Sequence, residues 1–396
     1  MSRTASPGAA AALVIGVGVC AALHVGKLPA ALPALRAALD ISLLEAGWLL
    51  SLVQLAGMTL GLVVGLGAER WGARRLMVAG LVLLSVSSAV GATAQGAHLL
   101  LASRALEGLG FLWAVLPAPA VLRRLLPAGD AQAKALGAWG AYMPLGTALA
   151  LAVGGPWAAA GGWRSLWLAL AGLSLAAAWA LGRAVPADAP ARPVAGASAA
   201  RLRATLGSAG PWLVAGAFLA YSSQWIAVIG FLPTVLADAA VPAAYAGPAA
   251  ALVALVNMTG NIAAGRGLAR GRSPGQLLML GFGAMAVGAA GAFAPTVDGP
   301  LRAAGFLLFS AAGGLVPGTL FATAVRVAPR PDTVAVTVGW MQQGSALGQF
   351  VGPLAVAAAA SATGGWHATP WLTGAAALAG MGISLALSRR LRAGAA

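Results

Sequence analysis

Two pairs of ionisable residues stand one helical turn apart inside long apolar stretches. His24 and Lys27 form the first pair, and Arg104 and Glu107 form the second. At this spacing both members of a pair lie on the same face of a helix. The ammonium of Lys27 and the guanidinium of Arg104 are groups that bind anions, and an arginine can hold a carboxylate bidentately. The carboxylate of Glu107 and the imidazole of His24 are groups that carry protons.

Neutral hydrogen-bonding side chains form a second set of candidates in other apolar stretches. They are Tyr142, Gln224, Asn257 and Gln343. Polar groups inside the hydrocarbon region are costly, and they are functional candidates for that reason. We therefore predict that these four side chains bind the substrate together with the two cations and the carboxylate.

The charge of the candidates favours an anionic substrate. Lys27 and Arg104 carry two positive charges, and Glu107 carries one negative charge when ionised. A buried cation without a partner costs several kcal/mol, which a bound anion would remove. We predict a small organic or inorganic anion as the ligand, with Glu107 and His24 as the proton sites if its binding is coupled to protons. The alternative is an Arg104–Glu107 ion pair that only packs the protein, and this pair would leave Lys27 without a partner.

The composition explains why polar side chains are few. Of the 396 residues, 60% are hydrophobic and 8% are charged, and the mean hydropathy is +0.87. Soluble proteins have about 25% charged residues. Apolar runs of about 20 residues recur along the chain, and each is long enough to cross a bilayer. The chain is therefore predicted to be an all-α, multi-pass integral membrane protein.

Loop signals divide the apolar runs into twelve predicted spans. The first six are residues 9–35, 43–67, 75–95, 98–124, 133–156 and 163–183, and the second six are residues 211–236, 243–266, 274–295, 300–327, 333–359 and 367–388. Residues 184–210 between them are rich in proline, alanine and arginine. This pattern predicts an N-terminal six-helix bundle over residues 1–183, a cytoplasmic linker over 184–210 and a C-terminal bundle over 211–396.

The basic residues predict the orientation of the chain. With both termini in the cytoplasm, nineteen lysines and arginines fall in inner segments and three fall in outer loops, at Arg36, Arg164 and Arg302. This asymmetry satisfies the positive-inside rule. The net charge of +15 does not indicate nucleic-acid binding, because the basic residues occur in twos and threes between apolar runs.

An internal repeat at an offset of about 200 residues relates the two sets of spans. Residues 32–33 match 232–233, and residues 46–47 match 246–247. Residues 65, 67 and 70 match 265, 267 and 270 in that order, and residue 117 matches 317. Two halves of the same orientation form a parallel repeat, which is one of the architectures of secondary transporters.

The loop after the second span reads GLGAERWGARR over residues 65–75. It resembles the signature loop of the major facilitator superfamily, Gly-x-x-x-Asp-Arg-x-Gly-Arg-Arg/Lys-Arg/Lys. The resemblance implies a cytoplasmic latch between the halves. Its residues would be Gly65, Glu69, Arg70, Gly72 and Arg74, with Glu69 in place of the usual aspartate. The latch would lie beside two small-residue faces, one on span 2 and one on span 11 at Gly344, Gly348 and Gly352.

A second signature lies in the fourth span, where residues 104–110 read RALEGLG. It is similar to the Arg-x-x-x-Gly-x-Gly pattern of the superfamily. The stretches GKLPAALPALRAAL and WGAYMPLG, in the first and fifth spans, also resemble the bacterial cyanate/nitroimidazole-transporter-like branch. The fifth span departs from the drug/proton antiporter motif, because Met143 stands where those proteins have glycine before Pro144.

The resemblance implies a secondary active transporter of the bacterial inner membrane that works by alternating access. In the superfamily, helices 1, 4, 7 and 10 surround the cavity with 2, 5, 8 and 11 alongside, and all the candidate residues lie on these spans. The predicted substrate is the small anion, and symport with protons is one mode of coupling. The alternative is a proton-coupled antiporter that exports a neutral or cationic drug or metabolite. We expect a monomer in the bilayer, without catalytic activity, cofactor or metal, since one cysteine and three histidines form no ligand pattern.

Overall fold

The computed structural model describes residues 6–188, 197–294 and 299–393, without the side chains of residues 65–70, 133, 197 and 243. These residues form helices joined by short turns. The helices up to residue 184 are α1 (Pro7–Leu39), α2 (Leu43–Leu52), α3 (Leu55–Trp71), α4 (Ala73–Ala92), α5 (Ala97–Val115), α6 (Ala118–Leu125), α7 (Asp130–Trp139), α8 (Tyr142–Gly161) and α9 (Trp163–Ala184). The later helices are α10 (Ala197–Leu206), α11 (Ala209–Asp238), α12 (Ala243–Ala269), α13 (Pro274–Phe293), α14 (Gly299–Gly313), α15 (Leu315–Val327), α16 (Val334–Thr363) and α17 (Thr369–Ala393).

Twelve stretches of the described chain are long and apolar enough to cross a membrane, which confirms the predicted number of spans. Nine of them are formed by one long helix, and three by two helices in line: α2 with α3, α5 with α6, and α14 with α15. The fifth span differs from its prediction, because it starts at Tyr142 and not at residue 133. The cause is a turn after α7, in which the Gly140 amide bonds to Leu136 and Gly137 carbonyls.

The predicted linker contains a helix that sequence reasoning missed. Within residues 184–210, α10 (Ala197–Leu206) has the sequence ASAARLRATL. Alanine, leucine and arginine are strong helix formers, so the composition favours helix once the prolines of residues 184–193 have passed. The Trp212 indole then donates to the Leu206 carbonyl at 2.8 Å, which fixes the turn into α11.

The chain packs as two compact units. The first takes in the described part of residues 1–193 together with residues 232–251, and the second takes in the described part of residues 194–231 and 252–396. The end of α11 and the start of α12 thus belong to the first unit. The division into bundles of residues 1–183 and 211–396 stays a prediction.

Small residues bring helix backbones together in each unit. In the first, a Cβ on Gly26 of α1 would lie 2.7 Å from the Ala150 Cβ of α8, and a Cβ on Gly80 of α4 would lie 2.6 Å from the Gly110 carbonyl of α5. Such contacts let helices associate closely where lipid provides no hydrophobic force. These contacts hold α1 against α8 and α4 against α5, and α1 and α5 carry the ionisable residues.

The small-residue face of span 11 packs against α11. A Cβ on Gly344 would lie 2.6 Å from the Ala215 carbonyl of α11, and Gly348 and Gly352 likewise adjoin carbonyls of α11. All these residues belong to the second unit. These glycines therefore serve close packing of α16 on α11, and their predicted place beside the latch stays a prediction.

Candidate functional site

The four ionisable residues predicted from the sequence meet in one cluster inside the first unit. His24 and Lys27 come from α1, and Arg104 and Glu107 come from α5. All four have an exposed fraction of 0%. The two pairs, each one turn long, therefore form a single buried network, which we call the ionic cluster.

Lys27 is fully hydrogen-bonded within the ionic cluster. Its Nζ lies 2.5 Å from Glu107 Oε1, 2.7 Å from Ser88 Oγ of α4 and 3.2 Å from His24 Nδ1. The ammonium also lies 4.5 Å from the centre of the Trp167 ring of α9, a cation–π contact. The expectation that Lys27 lacks a partner beside an Arg104–Glu107 pair is wrong, because each carboxylate oxygen of Glu107 accepts from a different cation.

Arg104 connects α5 to two neighbouring helices. Its Nη1 donates to Glu107 Oε2 and, at 2.8 Å, to the His24 carbonyl of α1, and its Nε donates at 3.2 Å to the Leu49 carbonyl of α2. Helix α2 ends at Leu52, so Leu49 is in the last turn, where carbonyls lack helical partners. The Nη2 atom of Arg104 is buried and has no hydrogen-bond partner in the described chain.

The two glycines of the RALEGLG motif allow this approach of α5 to its neighbours. A Cβ on Gly108 would lie 2.5 Å from the Val53 carbonyl, in the turn between α2 and α3. A Cβ on Gly110 would lie 2.8 Å from the Gly80 carbonyl and from the Leu84 amide of α4. No side chain fits at either distance, so the motif positions Arg104 and Glu107 by backbone packing.

His24 links the cluster to α9. Its Nε2 lies 2.7 Å from Ser174 Oγ, whose oxygen is 3.6 Å from Cys20 Sγ. A protonated Lys27 donates to Nδ1 of His24, so the neutral imidazole carries its own proton on Nε2 and donates it to Ser174. This tautomer follows from the hydrogen-bond network.

Sequence reasoning missed three residues that contact the ionic cluster. Ser88, Ser174 and Trp167 lie on spans 3 and 6, where the sequence predicted no candidate residue. Ser88 both accepts from Lys27 and donates to the Trp167 carbonyl at 2.8 Å. A serine in an apolar span is a weak indication of a functional site, because serines in helices commonly hydrogen-bond to the backbone of their own helix.

The cluster holds an excess of positive charge. Two cations and one carboxylate give a net charge of +1 when His24 is neutral. Each cation is paired with Glu107, but the net charge of the fully buried cluster is not zero. Such an excess is unfavourable in a low dielectric, and it disappears when a proton leaves or an anion binds.

The neutral candidates lie in different parts of the chain. In the second unit, Asn257 Nδ2 donates to the Ser310 carbonyl at 2.8 Å and to Tyr221 Oη at 3.0 Å. The amide nitrogen of Asn257 is therefore already hydrogen-bonded to other protein groups. The Nε2 of Gln224 donates to the Ala220 carbonyl at 2.9 Å, while its buried Oε1 has no hydrogen-bond partner in the described residues. Gln343 of α16 is half-buried.

Tyr142 stands at the start of α8 in the first unit. Its ring stacks on Trp139 with 4.5 Å between ring centres. A site that joins all the predicted substrate residues stays a prediction.

The described part of the latch is organised by an acid that sequence reasoning missed. Asp188, after α9, accepts from the backbone amides of Arg74 and Arg75 at 3.1 Å and from Arg124 Nη1 at 2.7 Å. Gly72 has φ +90°, and a Cβ there would lie 2.5 Å from Asp188 Oδ2, so only glycine fits.

Several forces act on the pKa of Asp188. Burial raises it, but the hydrogen bonds from the two amides and from Arg124 outweigh burial and hold the pKa below its usual value. The side chains of Gly65, Glu69 and Arg70 lie outside the described residues. Their predicted role as a latch stays a prediction.

The twelve apolar spans define a multi-pass helical membrane protein. Two solved structures share its fold. A bacterial homologue of the human lysosomal transporter Spinster has a TM-score of 0.71 and 15% identity, with 97% of this chain and 94% of that chain covered. A D-xylose–proton symporter has a TM-score of 0.73 and 18% identity, with 95% and 96% covered.

Curated relatives match shorter segments. A major facilitator superfamily multidrug transporter of Aspergillus fumigatus is 33% identical over 144 residues, which are 35% of this chain and 27% of that protein. The methylenomycin A resistance protein of Bacillus subtilis is 28% identical over 42% of this chain and 36% of its own length. A chloramphenicol efflux pump of Mycobacterium tuberculosis is 35% identical over 39% of this chain and 38% of its own length. The chain thus matches well under half the length of these relatives.

Residues 14–353 match the model of the Major Facilitator Superfamily, and the chain belongs to this superfamily. The family predicted from the signature loop and from RALEGLG is confirmed. Membership in this superfamily favours a transporter over an enzyme, and the activity of this chain is the subject of the proposal below. The resemblance to the cyanate/nitroimidazole-transporter-like branch stays a prediction.

Proposed function

We propose that the chain is a proton-coupled transporter that exports a small organic compound without net charge. The observation that carries the proposal is the ionic cluster, which is fully buried and has a net charge of +1. When one proton leaves Lys27, the Arg104–Glu107 pair remains and the cluster becomes neutral. Proton loss and proton uptake thus change the charge of a site that ties α1 to α4, α5 and α9, and such a change can favour one conformation over another.

The geometry assigns different roles to the ionisable residues. Glu107 accepts from two cations, so a proton on its carboxylate would leave two positive charges without a counter-ion. We therefore place the exchangeable proton on Lys27 and His24, which share a 3.2 Å contact, and treat Glu107 as a fixed negative charge. This assignment retains His24 from the sequence prediction and replaces Glu107 with Lys27.

The substrate class rests on the neutral groups of the second unit. Tyr221 and Trp225 stack with 6.5 Å between ring centres, and the free Oε1 of Gln224 can accept a hydrogen bond from a substrate N–H or O–H. Aromatic rings with a few polar groups are typical of small-molecule sites. The relatives named for multidrug transport, methylenomycin A resistance and chloramphenicol efflux support an organic compound of this kind.

Transport of radiolabelled chloramphenicol into proteoliposomes tests the proposal. An imposed pH gradient should drive accumulation, and a pH dye inside the vesicles should report proton movement in the opposite direction. Lys27→Met should abolish the effect of the gradient and leave exchange of labelled for unlabelled compound intact. Gradient-driven accumulation by Lys27→Met at the rate of the parent would contradict the proposal.

The small anion is the second candidate, and one observation favours it. The Arg104 Nη2 has no partner in the described chain, and an anion bound there would bring the charge of the cluster to zero. Cyanate and benzoate are suitable probes, since one is inorganic and the other organic. Arg104→Lys loses the planar guanidinium, so it should weaken anion transport about tenfold or more if Nη2 binds the anion. Anion transport that is insensitive to Arg104→Lys would exclude this candidate.

The cellular setting is part of the proposal. We place the chain in the bacterial inner membrane as a monomer, with both termini and residues 184–210 in the cytoplasm. The distribution of nineteen inner and three outer basic residues supports this orientation.

A further inference from the structure

A pocket of about 830 Å³ lies in the second unit, apart from the ionic cluster, where α12, α13, α15 and α17 meet. Three arginines line it: Arg272 precedes α13, Arg326 is in the last turn of α15, and Arg392 is in the last turn of α17. All three side chains are exposed, and none has an ion pair or hydrogen bond to a described residue. The pocket therefore presents three free cations from three separate segments.

Within the described residues, no acidic side chain lines the pocket as a counter-ion. Asp332 is the sole acid among the described residues of the second unit, and it already pairs with Arg330 at 3.0 Å. The first turn of α13 also lines the pocket, through residues 273–276. The positive end of a helix dipole favours a nearby anion and adds to the effect of the arginines.

The walls of the pocket are apolar below its charged end. Met279 lies more than one turn after the start of α13 at Pro274, and Leu385 of α17 lies two turns before Arg392. Ala322 of α15 stands one turn before Arg326. A ligand that fits both parts has an anionic head and an apolar body.

We propose that this pocket binds the phosphate headgroup of an anionic phospholipid, such as phosphatidylglycerol. The arginines lie at the ends of spans that the positive-inside rule places at the cytoplasmic surface, which is the depth of lipid phosphates in that leaflet. Guanidinium groups bind phosphate oxygens with charge-assisted, bidentate hydrogen bonds. The acyl chain then runs along the side of Met279 and Leu385. A free phosphate ion can make the same hydrogen bonds to the arginines as the lipid headgroup, but it has no acyl chain to pack against the apolar walls.

Native mass spectrometry of the purified full chain, titrated with phosphatidylglycerol, tests the proposal. The pocket variant carries Arg272→Gln, Arg326→Gln and Arg392→Gln. A matched control carries Arg266→Gln, Arg270→Gln and Arg389→Gln, which removes the same charge from the same surface outside the pocket lining. Each basic residue near an anionic lipid contributes about fivefold in affinity, so the pocket variant should bind about a hundredfold more weakly than the control.

Two further measurements separate the lipid from its alternatives. Ala322→Trp fills the pocket without a change of charge, and it should also lose the tight lipid site. Thermal stability in the presence of inorganic phosphate, glycerol phosphate and phosphatidylglycerol compares the sources, and only the lipid should raise it at micromolar concentration. Equal binding by the pocket variant and the control, or equal stabilisation by inorganic phosphate and the lipid, would overturn the proposal.

Discussion

Replacement of Glu107 by glutamine should be the most destabilising charge change in the ionic cluster. Glutamine keeps the size of the side chain but removes the carboxylate that accepts from Lys27 at 2.5 Å and from Arg104. Two fully buried cations then have no counter-ion. Breaking a buried ion pair by removing one partner costs about 3–5 kcal/mol, so we expect a loss of folding stability in this range.

The companion variants should show smaller losses. Lys27→Met removes one cation and leaves Glu107 paired with Arg104, which makes the cluster neutral, so we expect a cost of about 1 kcal/mol or less. The double variant Lys27→Met with Glu107→Gln leaves one unpaired cation and should be more stable than Glu107→Gln alone. The coupling energy between the two sites should be about 1.5 kcal/mol or more.

Cys20 provides the assay. It is the sole cysteine and is buried near the cluster, so a thiol-reactive dye reports its exposure as the purified protein unfolds. The unfolding temperature should fall in the order Lys27→Met, double variant, Glu107→Gln. An unfolding temperature of Glu107→Gln equal to that of the parent, or additive losses in the double variant, would refute the pairing of Glu107 with Lys27.

Three further predictions concern the packing motif, the acid after α9 and the topology. Gly108→Ala should destabilise the protein by about 1–3 kcal/mol because its Cβ would collide with the Val53 carbonyl, and the same dye assay measures this loss. Asp188 has a folded pKa below its usual value, so its contribution to stability is present above about pH 4 and is lost as pH falls through the folded pKa. The unfolding temperatures of the parent and of Asp188→Asn should therefore converge as the pH falls from 7 to 3. A constant difference between the two temperatures would contradict this prediction. Cysteines at Ser198 and Ala362 should react with an impermeant thiol reagent from opposite sides of the membrane, and labelling from one side only would contradict the predicted orientation.

The spans were predictable because the membrane imposes a local requirement. A run of about 20 apolar residues identifies a crossing helix without knowledge of its neighbours, and the predicted number of twelve spans is confirmed on that basis. The turn before Tyr142 and the helix α10 were missed. Both depend on short segments outside the apolar runs, where the hydropathy pattern gives no signal.

The ionic cluster was predictable only in part. Arg104 and Glu107 stand three residues apart on one helix, so their contact follows from helical geometry. Lys27 and Glu107 are 80 residues apart, and their pairing exists because α1 packs beside α5 in the folded chain. No local pattern contains that information.

The amino-acid sequence by itself determined the number of spans, the family and the residues that are costly to bury, since each of these follows from residue type and spacing along one helix. Only the tertiary structure decided which groups neutralise one another. It placed Ser88 and Ser174 beside Lys27 and His24, and it brought Asp188 to the amides in the first turn of α4. Hydrogen bonds and ion pairs act over about 3 Å, so their partners are fixed by helix packing and not by position in the chain.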